Sequence, residues 1–589
     1  MSDEYELAKS ELPQDLDDST PYENKQWNYI QDINSGVYTN NQQSLVQFDL
    51  SSIYNSGKFI DVSQMYLTIP IVYTAAWGQA AAAGAVVPVA GNEFLITPKN
   101  GSWNLIHSLE VTVDGKNVIQ QTPNINVHTN FKMMSQMSKD DLKTMGATLG
   151  CYPDDVQAYL YNTVGSATGA IGGNGLSNNM IFPILAAGTV GAANGNEQAP
   201  GLAAVGIAAY DTQGYVYNSA LQKRSQRIAN NMSAPANGMS ALIGTGNMGA
   251  EFQPYYTVLN TDYMTWYDIA VIRLCDVCDF FAKAPLTKNF NGLLRIYFNT
   301  GAMNIGVAVA TGNMYMSGAN SSFSNTCPFT INQMPILQIP ALTANLQVSC
   351  TIAKSSVSTA MNGIALSASG GASPMNACRC YFPMVTLKPS VALKYISENR
   401  AKKIIYTNVL ASIYTAIASG ANYNQLVQSG VRNIKGVLIV PFIASSVHGS
   451  LTNLAGLTTF APYSSPFDTA PNTTPCSLTN LQVSVGQVNQ LMNYYNYTFE
   501  EFYQQLNLYE KINSSDLGLS NGQIGQAMFE HGYRYYYVDC SRGTNADSNT
   551  PRNVNISFTN NTLKAMDILV FVEYYCEAVL DCETGRVSV

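Results

Sequence analysis

The chain has 589 residues, more than one hydrophobic core usually supports, so we expect at least two domains. Charged residues make up 12% of the sequence, about half of the roughly 25% usual for a soluble domain, which predicts that much of the surface is buried against other chains. The net charge of −9 argues against a nucleic-acid-binding surface as the main function.

The N-terminal segment is acidic. Residues 1–20, MSDEYELAKSELPQDLDDST, contain seven acidic side chains and one Lys. We find no Arg-rich arm that could neutralise a packaged genome and no apolar stretch typical of a signal peptide. We interpret residues 1–26 as a tail that is mobile or bound by a partner.

Two apolar runs are too short and too interrupted to be membrane spans. They cover residues 436–447 and 566–580, and Pro441 and Glu573 interrupt them. We predict that both are buried strands and that the chain has no transmembrane segment. The eleven Cys are irregularly spaced, which indicates free thiols in a reducing compartment.

Strand-like segments dominate the sequence. Runs rich in Val, Ile, Tyr and Thr recur between clusters of Gly, Asn, Ser and Pro, which predicts antiparallel sandwiches rather than βαβ units. The clearest runs are SLVQFDL, MYLTIPIVY, LEVTV, LLRIYFN, KKIIYTNVL, GVLIVPF, LQVSV, YRYYYVDC, NVNISF and ILVFVEYY. In LEVTV, the period of two places Leu109, Val111 and Val113 on one face, which we predict to be the core face. Asp114-Gly115 then predicts a hairpin, either with a two-residue turn or with a Gly bulge that shifts the register by one.

Few segments predict helices. YTFEEFYQQLNLYEKIN offers Thr498 as N-cap and Glu501 as its partner in a capping box. A shorter helix is predicted from Ser138 as N-cap to a stop at Gly146. Residues 276–285 are predicted to form two turns.

Low-complexity segments interrupt the first half of the chain, whereas the second half is leaner. Because these Gly- and Ala-rich stretches cannot fill a core by themselves, we predict that they are long insertions between strands. They cover residues 75–91, about 163–210, and 236–249.

The sequence contains an internal repeat. LEVTVDGKNVIQ (109–120) and LQVSVGQVNQLM (481–492) are nearly the same strand and turn. Each copy follows a strand that is predicted to end in (Ile/Val)-Pro, since Leu109 lies 39 residues after Pro70 and Leu481 lies 40 residues after Pro441. We interpret this as a duplicated β-sandwich, and we expect 293–299 and 568–575 to be its two equivalent final strands.

Three segments carry a resemblance to a known family. IRLCDVCDFFAKAPLTKNFNGLLRIYFN (272–299) resembles the short helix and strand near the end of the first barrel in double jelly-roll major capsid proteins. CRCYFPMVTLKPSVALKYISENR (378–400) resembles the strand and connector that close that barrel, and KKIIYTNVL resembles the opening strand of the second. The proteins of virophages and Polinton-like viruses are the most similar in pattern. The resemblance covers about residues 40–589, but residues 300–376 and the Gly/Ala-rich insertions match no part of it.

The resemblance implies an all-β fold: two eight-stranded antiparallel jelly-roll sandwiches in tandem, with a few short helices and long loop insertions. We expect the first in residues 27–397 and the second in residues 398–589. The resemblance further implies a homotrimeric, pseudo-hexagonal capsomer that tiles an icosahedral shell around double-stranded DNA. The expected partners are neighbouring capsomers and minor or penton proteins. The expected location is the virion capsid, assembled inside the host cell, and no sequence-specific binding of nucleic acid is expected.

No motif indicates catalysis. The four His, at positions 107, 128, 448 and 531, lie outside any metal or catalytic motif, and isolated His residues are usually satisfied surface or core groups. Phosphate-binding loops, dinucleotide-binding loops and the nucleophile elbow are absent from the sequence. Glu500 and Glu501 are adjacent on a predicted helix and therefore point apart. We predict no catalytic residue, no cofactor and no enzymatic activity.

Four cysteines raise the possibility of a metal site. Cys275, Cys278, Cys378 and Cys380 could provide four thiolates for zinc. However, C-x-C is a poor zinc motif, no His supports it, and Cys275 and Cys278 lie in an apolar helical pattern. We interpret all four as buried thiols and predict no metal site.

Two alternatives to a major capsid protein use the same kind of sandwich. A vertex or spike protein of a virion would usually have one barrel per chain. A carbohydrate-binding or glycan-hydrolysing sandwich would need an export signal and clustered Asp, Glu and Trp, whereas the four Trp, at positions 27, 77, 103 and 266, are scattered.

Overall fold

The structure is a computed structural model, and it describes most of the predicted strands. The described residues are 21–34, 38, 44–54, 56–76, 94–152, 224, 256–259, 263–308, 313–321, 327–333, 346–352, 360–361, 364–365, 377–444, 476–491, 497–509, 522–531, 533–541, 550–562 and 565–589. The predicted insertions over 163–210 and 236–249, and nearly all of 75–91, lie outside these residues.

Strands β1 to β18 belong to the N-terminal part of the chain. They are β1 Tyr22–Gln31, β2 Ser44–Asp49, β3 Phe59–Ile60, β4 Tyr66–Ala76, β5 Phe94–Pro98, β6 Ile106–Val113, β7 Lys116–Ile119, β8 Tyr256–Leu259, β9 Tyr263–Arg273, β10 Thr287–Lys288, β11 Gly292–Phe298, β12 Gly301–Ala308, β13 Asn313–Ser321, β14 Phe329–Gln333, β15 Leu346–Ile352, β16 Ala360–Met361, β17 Ile364–Ala365 and β18 Arg379–Leu387.

Eight of these strands form a sandwich, which we call roll 1. In chain order they are β1, β2, β4, β6, β7, β9, β11 and β18. The first sheet of roll 1 has the order β1-β18-β4-β9, and the second sheet has the order β2-β11-β6-β7. Every pairing between these strands is antiparallel.

The C-terminal part repeats this arrangement as roll 2. Its strands are β19 Lys402–Ile417, β20 Asn422–Val431, β21 Ile434–Ile443, β22 Leu478–Val485, β23 Val488–Asn489, β24 Tyr536–Asp539, β25 Arg552–Asn560 and β26 Met566–Leu580, with a short β27 at Val587–Ser588. The first sheet of roll 2 has the order β19-β26-β21-β24, and the second has the order β20-β25-β22-β23.

The strand orders show that the two sandwiches are copies of one topology. In both rolls the first, eighth, third and sixth strands form one sheet, and the second, seventh, fourth and fifth form the other. Two antiparallel sheets of eight strands connected in this way define a jelly roll. The predicted fold, two jelly rolls in tandem, is therefore confirmed.

The repeated hairpin has the same geometry in both copies. Val113 pairs with Lys116 across Asp114 and Gly115, and Val485 pairs with Val488 across Gly486 and Gln487. All four turn residues have positive φ, between 49° and 76°, as a two-residue type I′ turn requires. This settles the open register: the turn has two residues, and the irregularity in roll 1 lies further along, between Val111 and Thr112.

The core face of the repeated strand is as predicted. Leu109, Val111 and Val113 are buried, whereas Glu110 and Thr112 are half-buried. The corresponding valines of β22 are also buried. The strands therefore follow the alternation that packs one face of each sheet inside a sandwich.

Two details of the predicted repeat are wrong. The strands do not end at Pro70 and Pro441, because β4 continues to Ala76 and β21 continues to Ile443. The predicted equivalence of the two final strands is also wrong. Residues 293–299 form β11, which is the seventh strand of roll 1 and lies between β2 and β6. The counterpart of β26, which contains 568–575, is instead β18. The misassignment arose because residues 300–376, which match no part of the family pattern, are an insertion between the seventh and eighth strands. Its strands β15, β12 and β13 add to the first sheet, because β15 pairs with the second half of β4, on the edge whose first half pairs with β18.

Helices are short and lie in the connections. They are α1 Ile125–Gln136, α2 Lys139–Leu149, α3 Leu274–Val277, α4 Asp279–Lys283, α5 Pro389–Glu398, α6 Phe499–Tyr509 and α7 Gln526–His531, with 3-10 turns at Leu50–Ile53, Val62–Gln64 and Ser102–Leu105. None of the helices in the described part of the chain is long and apolar enough to cross a lipid bilayer.

Helix α2 begins as predicted but ends later. Ser138 is its N-cap and forms a capping box with Asp141. The predicted stop at Gly146 is wrong, because the helix continues to Leu149 and ends at Gly150, which has a φ of 65°. A Cβ at Gly146 would lie 2.7 Å from the carbonyl oxygen of Cys151, so this glycine permits a close backbone approach rather than ending the helix.

The domain limits remain predictions, and two elements lie across them. Strand β1 begins at Tyr22, before the expected end of the tail at residue 26. Helix α5 ends at Glu398 and β19 begins at Lys402, so the expected division at residue 397 falls in the last turn of the connecting helix.

Candidate functional site: the interface between the two rolls

Helix α1 lies between the two rolls. It follows the hairpin β6–β7 in the connection between the fifth and sixth strands of roll 1, and ten of its twelve residues are buried. The Phe131 ring packs edge-on against Tyr535 at a centroid distance of 5.2 Å and stacks on Tyr537 at 5.5 Å. Asn130 donates from Nδ2 to the Tyr535 hydroxyl at 3.1 Å. Helix α1 therefore covers the outer face of the first sheet of roll 2.

A buried histidine of this helix contacts a buried glutamate of β26. His128 Nε2 lies 2.5 Å from Glu573 Oε1, and the two residues are 445 positions apart in the chain. Tyr537 donates its hydroxyl to Glu573 Oε2 at 3.4 Å. Glu573 is fully buried in the middle of β26, where an unpaired charge would cost several kcal/mol. The pair therefore links roll 1 to roll 2, because His128 belongs to roll 1 and Glu573 belongs to roll 2.

Glycine at position 436 makes room for this contact. Gly436 lies directly opposite Glu573 in the pairing of β21 with β26. A Cβ at this position would lie 2.0 Å from the Tyr537 hydroxyl oxygen. The missing side chain is thus what lets the Tyr537 hydroxyl reach the carboxylate.

Helix α4 makes a second contact between the rolls. The Thr407 amide of β19 donates to Asp279 Oδ2 at 2.9 Å, and the Phe280 ring lies 5.4 Å from that of Tyr406. Burial by itself would raise the pKa of the Asp279 carboxyl, but Lys132, Lys283 and the Thr407 amide hold it below its ordinary value. Asp279 is therefore present as a carboxylate that anchors the first strand of roll 2.

Backbone carbonyls complete the interface. Tyr406 donates its hydroxyl to the carbonyl of Val118 at 2.9 Å, and Thr122 donates from Oγ1 to the carbonyl of Val409 at 2.6 Å. Gln523 donates from Nε2 to the carbonyl of Met137 at 2.7 Å. These bonds are spread over several elements of both rolls, so the interface does not depend on a single contact.

The interface is suited to holding the rolls together rather than to catalysis. His128 of α1 and Glu573 of β26 would resemble part of a catalytic relay, but both side chains are buried between the two rolls, so a substrate could not reach them. The other histidines do not join them. His107 lies inside roll 1, where burial lowers its pKa to about 4, His448 lies outside the described residues, and the side chain of His531 is not described.

The four cysteines considered as zinc ligands are free thiols; Cys278, Cys378 and Cys380 are buried as predicted, whereas Cys275 is half-buried. Burial raises the pKa of Cys275 to about 11 and that of Cys278 to about 12, and it raises those of Cys378 and Cys380 further. Within the described ranges, no three side chains of His, Cys, Asp or Glu converge on a point that could hold a metal ion.

The two adjacent glutamates of α6 have separate partners. Glu501 accepts a hydrogen bond from Gln505 Nε2 at 2.9 Å. A hydrogen bond with Thr498 lowers the pKa of the exposed Glu500. The helix begins directly after Thr498, as predicted.

The sequence analysis did not predict the pair of His128 and Glu573. No local motif joins two residues that are 445 positions apart. One signal was available, however, since Glu573 interrupts an apolar run that was predicted to be a buried strand. A charge in such a strand implies a buried partner.

Comparisons with known proteins give structural likeness only. A scan of protein-family models and a search of curated proteins found no match. A chain of the cryo-EM structure of the Sputnik virophage is 8% identical over 96% of this chain and 88% of that chain, with a TM-score of 0.49. The mavirus major capsid protein is 11% identical over 95% and 89%, with a TM-score of 0.40, and the Faustovirus major capsid protein is 10% identical over 97% and 93%, with a TM-score of 0.42. The assignment of the fold rests on the strand order of this chain.

Proposed function

We propose that this chain is the major capsid protein of an icosahedral double-stranded DNA virus, of the kind found in virophages and Polinton-like viruses. Its unit would be a homotrimer in which six similar rolls form a pseudo-hexagonal capsomer. The observation that carries the proposal is that two rolls of one topology are fixed to each other by a buried interface.

This arrangement has a geometrical consequence. A contact that joins roll 1 to roll 2 within a chain can be repeated approximately between roll 2 of one chain and roll 1 of the next. Three chains then close a ring of six rolls without leaving an unmatched surface. A low charge content of 12% is consistent with a subunit that neighbours surround on most sides.

The mass of the purified protein tests the proposal. We expect a species of about three times the chain mass of 63.8 kDa, measured by light scattering after size exclusion, and hexagonal outlines in negative-stain microscopy. A stable monomer at micromolar concentration would contradict the proposal.

The acidic tail gives a second test. We propose that residues 1–20 contact neighbouring capsomers or minor and penton proteins in the shell. Removal of these residues is expected to leave the trimer intact and to impair assembly of the shell, observed by microscopy of co-expressed components. A normal shell without the tail would exclude this role for the tail and leave the trimer proposal standing.

The proposed role is structural. We propose that the protein acts in the virion capsid, after assembly in the host cell, without a catalytic centre, a cofactor or sequence-specific binding of nucleic acid. The net negative charge of −9 supports this, since the chain has 30 Lys and Arg against 39 Asp and Glu. Purified trimers are expected not to discriminate between DNA sequences in a filter-binding assay.

A further inference from the structure

Helix α1 has a polar face on the side away from roll 2. Asn126, Thr129 and Asn130 lie at spacings of three and four along the helix, so they share one face. His128 and Phe131, which contact roll 2, lie on the opposite face. All three polar residues are fully buried. The face that α1 turns toward its own roll is therefore polar, although it has no contact with solvent.

A 3-10 turn of roll 1 packs against this polar face. Trp103 of the turn Ser102–Leu105 donates from Nε1 to Asn130 Oδ1 at 3.4 Å. Asn104 follows Trp103 in the same turn, and Asn299, the residue after β11, donates from Nδ2 to the Asn104 carbonyl at 3.0 Å. Asn104 and Asn299 are also buried. The fold thus brings amide and hydroxyl groups from α1, the turn and the end of β11 into one buried region.

Five polar atoms in this region have no hydrogen-bond partner within the described part of the chain. They are Oδ1 and Nδ2 of Asn126, Oγ1 of Thr129, Oδ1 of Asn104 and Oδ1 of Asn299. We call these four residues the polar seam. The large majority of buried polar side-chain atoms in proteins have a partner, and a buried atom without one is destabilising. Five such atoms in one region indicate a partner other than the side chains and backbone of the protein.

We propose that ordered water molecules occupy the polar seam and connect α1 to the turn Ser102–Leu105 and to Asn299. The seam contains no charged side chain, so it favours a neutral ligand over an ion. Its three amide oxygens require donors, whereas Asn126 Nδ2 requires an acceptor and Thr129 Oγ1 can serve as either. Water both donates and accepts, and a buried water molecule typically forms about three hydrogen bonds.

The water anchors the helix that joins the two rolls. Helix α1 presents His128 and Phe131 to roll 2 from one face and rests on the polar seam with the other. A hydrogen bond through water is nearly as favourable in enthalpy as a direct one. This role of water belongs to the single chain and is independent of the proposed function.

The sign of one substitution tests the proposal. Thr129→Val keeps the shape of the side chain and removes its hydroxyl. If that hydroxyl had no partner, its removal would raise the thermal unfolding midpoint, because a buried polar group without a partner is destabilising. If the hydroxyl binds water, valine leaves that water one partner short, and we expect the midpoint to fall by about 2–4 °C.

Thr144→Val is the matched control, because Thr144 is a helical threonine on the exposed surface of α2. Its midpoint should stay close to that of the unaltered chain. Asn126→Leu removes two polar atoms of the seam and is expected to lower the midpoint more than Thr129→Val does. A midpoint of Thr129→Val at or above that of the unaltered chain would overturn the proposal.

A second measurement uses the unaltered chain and covers the case in which the variants do not fold. An experimental structure at a resolution that shows ordered water is expected to contain density about 2.7–3.2 Å from the unpaired atoms of Asn126 and Thr129. A seam without such density would overturn the proposal. Density surrounded by six or more oxygen atoms at about 2.3–2.6 Å would also overturn it, because that geometry identifies a bound cation.

Discussion

The eighth strands of the two rolls occupy the same place in the same topology, yet their side chains have different surroundings. Strand β18 of roll 1 has alternating burial at its start, where Arg379 and Tyr381 are half-buried and Cys380 is buried between them. Strand β26 of roll 2 is buried over its first eight residues, from Met566 to Glu573. The outer face of the first sheet is therefore partly exposed at the start of β18 in roll 1. In roll 2 the same face is covered at β26 by helix α1 of the same chain.

This difference explains two features of the sequence at once. A strand that is buried on both faces is expected to be apolar throughout, and MDILVFVEYY in β26 is nearly so. A charge within it is tolerated only with a partner, which His128 provides. The start of β18 in roll 1 needs no such run, because no helix in the described part of the chain covers Arg379 and Tyr381 as α1 covers β26.

The largest loss of stability is expected from charged substitutions in the repeated strand. Val111→Asp with Val113→Asp places two charges in the core of roll 1, at several kcal/mol each, and we expect no soluble folded protein. Val483→Asp with Val485→Asp should have the same effect in roll 2, because these residues are equally buried. Soluble expression and circular dichroism measure the result. Thr112→Asp is the control and should fold, since Thr112 is half-buried; a folded Val111/Val113 variant would show that β6 is not a core strand.

The next largest effect is expected at the interface between the rolls. Glu573→Ala leaves His128 buried without its partner, which typically costs about 3–5 kcal/mol for a buried pair. Glu577→Ala is a matched control on the same strand, because the pair of Glu577 with Lys403 is 55% exposed on both sides and such pairs contribute about 0–1 kcal/mol. Urea unfolding gives both values. Equal losses in the two variants would mean that the buried pair does not stabilise the interface.

The sequence analysis predicted the parts of this fold that local patterns specify. The alternation in LEVTV identified a core face, and the spacing of Pro70 and Pro441 from the repeated strand identified the duplication; both describe neighbours within one strand or one connection. The stop at Gly146 was wrong because a close approach by the backbone of Cys151, rather than a helix end, requires that glycine.

Long-range pairings were beyond what the sequence could predict. The equivalence of 293–299 with 568–575 failed because strand order depends on which strands pair, and the insertion over 300–376 hid the true counterpart, β18. The contact of His128 with Glu573 likewise depends on how the two rolls pack together. Only the isolated charge in an apolar run pointed to it.

Acidification should weaken roll 1 through His107. The folded pKa of about 4 lies below the ordinary value of 6.5, so below pH 6.5 the unfolded chain takes up a proton that the folded chain does not. The free energy of unfolding then falls with pH, by at most about 1.4 kcal/mol per pH unit between pH 6.5 and 4. Urea unfolding at pH 7.0 and pH 5.5 should show a loss about 1 kcal/mol smaller in His107→Gln than in the unaltered chain. An unchanged pH dependence would contradict burial of a neutral imidazole.

The smallest effect is expected at the two hairpins, where a turn of the same geometry has its glycine second in roll 1, at Gly115, and first in roll 2, at Gly486. The second turn position is Gly115 in roll 1 and Gln487 in roll 2, with φ values of 73° and 76°. A left-handed conformation costs a residue with a Cβ about 1–2 kcal/mol, part of which is offset because glycine loses more entropy on folding. Gln487→Gly should therefore stabilise roll 2 by about 0.5–1 kcal/mol, and Gly115→Gln should destabilise roll 1 by a similar amount. Thermal unfolding of both variants tests this, and effects of the same sign would show that the two turns are not equivalent.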